Sequence, residues 1–93
     1  MSKVILQGYI LVADEELELV TRELELHKEL TREEIGCLVF EVEPDESAPN
    51  RFNVYEEFQS KGAFEHHQQR VSGSMWGKVT KNVSRHYQVT YDD

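Results

Sequence analysis

His67 and Glu56 are the two residues of this chain that join a reactive group to an apolar setting. An imidazole titrates close to neutral pH and can take or give a proton. His67 follows Ala63 and Phe64 on one side of a helical pattern. Its ring serves either as a general base or as a tie, bonding Glu56 or a backbone carbonyl to hold helix to sheet. Glu56 stands in Arg51-Phe-Asn-Val-Tyr-Glu-Glu-Phe58, on a strand face otherwise made of Phe52, Val54 and Phe58. A carboxylate among such neighbours must find a partner or shift its pKa upward. It either orients His67 or pairs structurally with a basic residue. Trp76 supplies a flat apolar wall and one N–H donor, suited to an aromatic ligand or to filling a core. Tyr9, Phe40, Phe58 and Phe64 read as core residues that can also line the same cavity.

The remaining candidates carry less. His66 and His67 are adjacent, and neighbouring helix positions point about 100° apart, so the pair does not ligate one ion comfortably. His27 and His86 are distant and sit among non-ligands, and no metal site is expected. Cys37 is the sole cysteine; it lies in an apolar run where a buried inert thiol outranks a nucleophile. A single cysteine permits no intrachain disulfide and fits a reducing, cytoplasmic setting. No glycine-rich phosphate loop or dinucleotide fingerprint occurs.

Composition narrows the partners. The 93 residues hold 18 acids against 10 bases, a net charge of −8, with 39 % apolar and 30 % charged residues. This is a globular balance that repels phosphate backbones and anionic lipid, so neither nucleic acid nor membrane is expected. No stretch is apolar enough to span a bilayer, and the chain reads as one domain, 1–93.

The elements that must position these residues follow from periodicity. Positions 4–13 form a strand whose even residues (Val4, Leu6, Ile10, Val12) and odd residues (Ile5, Tyr9, Leu11) are both apolar, which predicts a cover on both faces. Asp14 is the expected cap of a helix running to about Leu30, with Leu17, Val20, Leu24 and His27 on one stripe and Leu19, Leu26 and Leu30 on another. Gly36 ends that segment. A second strand holds Leu38, Phe40 and Val42 on one face, residues 44–50 form a loop, and 51–59 form the third strand. Ser60 caps a second helix, Ser72-Gly-Ser74 interrupts it, and a short helical piece carries Met75, Trp76 and Val79. Residues 85–91 alternate as a fourth strand at a sheet edge. The order β-α-β-β-α-β predicts an α+β, ferredoxin-like, four-stranded antiparallel sheet with helices on one face and the first and third strands central. Asn53 and Tyr55 oppose Glu56 and are expected at a contact between subunits, because a second copy is the economical cover for the other face.

Thr31-Arg-Glu-Glu-Ile-Gly-Cys-Leu-Val-Phe40, Arg51-Phe-Asn-Val-Tyr-Glu-Glu-Phe58 and Ser60-Lys-Gly-Ala-Phe-Glu-His-His67 together resemble the antibiotic-biosynthesis-monooxygenase family. Gly36 and Cys37 match the family's turn into the second strand, Glu56 its strand acid and His67 its helix histidine. Ile35 departs from the usual proline, and Phe58 stands where tryptophan is common. The resemblance implies a dimeric α+β barrel with a cavity between sheet and helices in each unit. Some members of the family oxygenate polycyclic phenols or quinols without flavin, metal or haem, related ones degrade haem, and another processes a phosphorylated signalling molecule; the first chemistry is the one expected here. In that chemistry His67 is the base that removes a phenolic proton, Glu56 orients it, and Trp76 with Phe58, Phe64, Phe40 and Tyr9 lines the pocket. The first-strand Asn and helix Trp of haem-degrading relatives are missing: Gln7 and Gly8 occupy the strand, and His67 takes the Trp position. The alternative is a dimeric module of the same fold that binds a hydrophobic, aromatic small molecule without turning it over.

Overall fold

The computed structural model describes residues 3–92. Alternation of apolar residues produces strands β1 (Lys3–Leu11), β2 (Cys37–Pro44), β3 (Arg51–Phe58) and β4 (Ser84–Asp92). Helices α1 (Leu17–Arg32), α2 (Lys61–Ser72) and the short α3 (Met75–Val79) connect them. The strands form one antiparallel sheet in the order β2-β3-β1-β4, so the ferredoxin-like arrangement holds with β1 and β3 in the middle.

One face of the sheet carries the core. Val4, Leu6 and Ile10 of β1 lie beside Phe58, Glu56 and Phe52 of β3 in register. All are buried beneath α1 and α2, and Val20, Leu24, His27 and Thr31 are the residues α1 turns inward. The second stripe of α1, Leu19, Leu26 and Leu30, stays exposed. On the other side of β1, Ile5 and Tyr9 are half-buried while Gln7 and Leu11 are exposed. No described element of this chain covers that face.

Three local expectations change. Asp14 does not cap α1: residues Asp14–Glu16 form a 3₁₀ turn, and the Asp14 carboxylate instead accepts from Asn50 Nδ2 at 2.7 Å. Leu38 does not share the face of Phe40 and Val42. An irregularity in the β2–β3 pairing between Cys37 and Val39 turns Leu38 out, 53 % exposed. Helix α1 also runs two residues past Leu30. Ser60 does cap α2, its hydroxyl accepting from the Ala63 N–H at 3.1 Å.

Two glycines combine a positive φ with a crowded Cβ position. Gly36, at φ 93°, turns the chain into β2 where a Cβ would stand 2.6 Å from that of Ala63. Gly8, at φ 154°, lies in the centre of β1, where a Cβ would overlap the His86 carbonyl of the neighbouring strand. Gly8→Ala should therefore destabilise the fold by about 1–3 kcal/mol through a left-handed backbone and a forced parting of β1 from β4. Denaturant unfolding checks this; an unchanged midpoint would mean the two strands separate at no cost.

Candidate functional site

Helix α2 brings chemistry to the sheet. With Ser60 fixing its start, positions 63, 67 and 71 recur at four-residue spacing and face inward, and Arg70 lies one turn from His67. His67 is 3 % exposed, packed on Phe58 (ring centroids 4.9 Å apart) and near Phe40 (5.9 Å). Its Nδ1 meets the Glu34 carboxylate at 3.1 Å, and its Nε2 lies 3.8 Å from Glu56 Oε1. The residue bonded to His67 is thus Glu34, in the turn between α1 and β2, and not Glu56.

Glu34 is itself held. Arg70 Nε pairs with its other oxygen, and Arg70 Nη2 donates to the buried Thr31 hydroxyl at 2.9 Å. A carboxylate already paired with a guanidinium accepts from His67, which places the ring hydrogen on Nδ1 and leaves Nε2 as the free lone pair. Burial lowers the His67 pKa, while Glu34's charge and hydrogen bond pull the other way. The net direction favours a neutral ring.

Glu56 is in the opposite condition. It is 7 % exposed, and its Oε1 is buried with no hydrogen-bond partner. Burial, reinforced by the negative charge of Glu34, pushes its pKa up to about 8. Below pH 4.5 the carboxyl is protonated in folded and unfolded chains alike. Between 4.5 and about 8 the unfolded chain ionises while the folded one keeps its proton, so stability falls as pH rises. Glu56→Gln removes that loss. Denaturant unfolding at about pH 5 and about pH 8 should show the variant gaining on the wild type toward the higher pH; a constant difference would mean that Glu56 is ionised in the fold.

A cleft of about 240 Å³ opens between the sheet and α2 and α3. Leu6, Glu56 and His67 lie at the bottom; His27, Val71 and Trp76 form a wall; Gln68, Arg85 and Tyr87 complete it toward β4. Trp76 stacks flat on His27, centroids 4.7 Å apart and planes 9° apart. Burial, with the charges of His67 and Arg70, pushes the His27 pKa down to about 3, so this imidazole is neutral. Among the described residues no group of three or more His, Cys, Asp or Glu side chains is arranged to hold a metal ion. Burial also raises the Cys37 thiol, the direction of an unreactive group.

His67, Glu56 and Trp76 meet in this cleft. Phe58 and Phe40 support the His67 ring from the core, and Phe64 backs Phe58 at 5.6 Å, so the three phenylalanines stand behind the site instead of lining it. Tyr9 belongs to the opposite face, where it stacks on His86 at 4.6 Å beneath the Arg51 guanidinium. Its odd position on β1 points it away from the cleft that even-numbered Leu6 borders. Glu34, His27, Arg85 and Tyr87 were not foreseen as site residues. The signal for Glu34 was Arg70: a cation one turn from an inward histidine calls for a buried acid.

The fold has counterparts among known proteins. The family model for antibiotic biosynthesis monooxygenase matches residues 3–75, which include Glu34, Glu56 and His67. Among solved structures, a provisionally named antibiotic biosynthesis monooxygenase from Nitrosomonas europaea superposes with a TM-score of 0.78 at 16 % identity, covering 97 % of this chain and 86 % of the other. One from Deinococcus radiodurans, also provisionally named, gives 0.72 at 24 % identity, covering 97 % and 90 %. A Pseudomonas aeruginosa protein gives 0.74 at 22 %, covering 98 % and 92 %. At these identities the likeness concerns the fold. No curated protein matches the chain significantly. Through the match over most of its length, this chain belongs to the antibiotic biosynthesis monooxygenase family.

Proposed function

We propose that this protein is a cofactor-independent monooxygenase, working as a cytoplasmic homodimer, that oxidises a phenol- or quinol-type aromatic in the cleft beside His67. One observation carries the reading: His67 sits between an ion-paired carboxylate on Nδ1 and an unpartnered carboxyl near Nε2. Glu34 holds the tautomer and stabilises the imidazolium formed when Nε2 accepts the phenolic proton. Glu56, protonated below about pH 8, donates to the resulting phenolate oxygen. The electron-rich anion then reacts with dioxygen. One oxygen atom enters the ring carbon as a carbonyl; the other leaves as water with two hydrogens, one from the phenol and one from the attacked carbon. Electrons lost by the aromatic reduce the oxygen, and no other reductant is needed.

A binding module that turns nothing over is favoured by a single feature, the 3 % exposure of His67. Oxygen uptake with a panel of one- and two-ring quinols separates the two. Uptake with a hydroxylated quinone, one oxygen atom richer than the quinol, formed in equal amount supports the enzyme; binding with no uptake supports the module.

The homodimer is supported by the open face, where Ile5, Tyr9 and Val39 are half-buried and lack a cover within the chain. Tyr55, whose hydroxyl donates to Glu57, lies in the middle of that face. A Tyr55→Asp variant should sediment and scatter as a single chain of 10.9 kDa, against twice that mass for the wild type. A variant that keeps the wild-type mass would place the contact elsewhere.

A further inference from the structure

We propose that the cleft selects small hydroxylated aromatics bearing a carboxylate, and that Arg85 is the residue that reads the anion; this rests on the cleft being the site of the oxidation proposed above. Arg85 and Tyr87 are two apart on β4 and face the helix side of the sheet, as Glu56 does on β3. The Arg85 side chain folds onto the end of α3, where its Nη2 donates to the Thr80 carbonyl at 3.0 Å and hydroxyl at 3.1 Å. Thr80 is 1 % exposed, so the guanidinium is anchored at the cleft by a fixed part of the core.

The Arg85 side chain is itself exposed. Arg70 is spent on Glu34, Lys3 on Glu57, and Lys28 on Glu25 and Glu43, but among the described residues no carboxylate lies within ion-pairing distance of Arg85. With Nη2 taken by Thr80, the Nε and Nη1 hydrogens remain to donate singly to a carboxylate. The other end of the cleft does not repel such a ligand: Glu34 is neutralised by Arg70, and Glu56 carries its proton until about pH 8. Tyr87 responds to both ends. The partial burial of this 40 % exposed residue raises its phenol, Glu56 adding to the rise and Arg85 opposing it. At about 240 Å³ the cleft is smaller than a typical drug-sized pocket, roughly 300–1,000 Å³, and admits one or two rings against Trp76. Arg85 and Tyr87 lie beyond the segment 3–75 that the family model matches.

Trp76 is the only tryptophan and lines the cleft, so its fluorescence reports occupancy. The whole protein is titrated with 2,5-dihydroxybenzoate and with its uncharged methyl ester, anaerobically, for wild type, Arg85→Gln and Arg85→Lys. The acid should bind wild type roughly tenfold tighter than the ester, less so as salt is raised. Arg85→Gln should erase the difference, and Arg85→Lys should keep part of it. Equal affinities in wild type, binding of neither compound, or a preference that survives Arg85→Gln would overturn the proposal. Oxygen uptake is read separately. A preferred but unoxidised acid leaves the anion site standing and removes the oxidation; oxidation of neutral quinols with no preference for the acid does the reverse.

Discussion

His67→Ala should lower oxygen consumption with an accepted quinol by about 10²–10⁴-fold, the range in which a positioned acid–base group contributes. The loss arises because no other side chain at the bottom of the cleft can accept a proton near neutrality: His27 is held neutral with its pKa down near 3, and Glu56 already carries its proton. Removing the ring also leaves Glu34 with Arg70 alone. His67→Gln separates chemistry from support, because its amide can donate to Glu34 but has no basic nitrogen. It should fold better than the alanine variant and be just as slow. If His67→Gln turned over at the wild-type rate, His67 would be a tie between helix and sheet, and the base would have to be sought elsewhere.

Phe58→Ala should cost about 3–5 kcal/mol, the usual penalty for emptying a buried aromatic site. Phe58 is 0 % exposed and lies at the junction of Val4 on β1, Cys37 on β2 and Phe64 on α2. For a domain of this size that is a large part of the total stability. The same ring backs His67 at 4.9 Å, so a surviving variant should also lose turnover as the imidazole gains freedom. Calorimetric or denaturant unfolding measures the first effect. A cost below about 1 kcal/mol would mean that α2 collapses onto the vacancy, and that the packing holding His67 is soft.

The order of elements was legible because period-2 and period-3.6 patterns seldom conflict in this chain. The even and odd residues of β1 separated as expected, and Ser60 marked the start of α2. The same parity should have excluded Tyr9 from the cleft, since Leu6 and Ile10 define the helix side and position 9 cannot share it. Leu38 was misplaced because an irregularity in strand pairing leaves no mark in alternation. Asp14 was misread because its carboxylate is taken by Asn50, 36 residues away. Of the site, His67, Glu56 and Trp76 could be found by type and setting. Glu34 shows itself only indirectly, through Arg70, because on its own an acid in the run Arg32-Glu-Glu-Ile35 looks like the solvated end of a helix until α2 folds over it. Arg85 and Tyr87 looked like one side of an edge strand, and only the return of β4 beside β1 brings them to the cleft.

The measurement that reaches the centre of the account is the ring-nitrogen spectrum of His67, by NMR of the ¹⁵N-labelled protein near pH 7, assigned with His67→Gln. A neutral ring protonated on Nδ1, with a bare Nε2 facing Glu56, is the predicted state, and Glu34→Gln should disturb it. A hydrogen on Nε2, or a doubly protonated ring at that pH, would leave no lone pair facing the cleft and would contradict the assignment of His67 as the base.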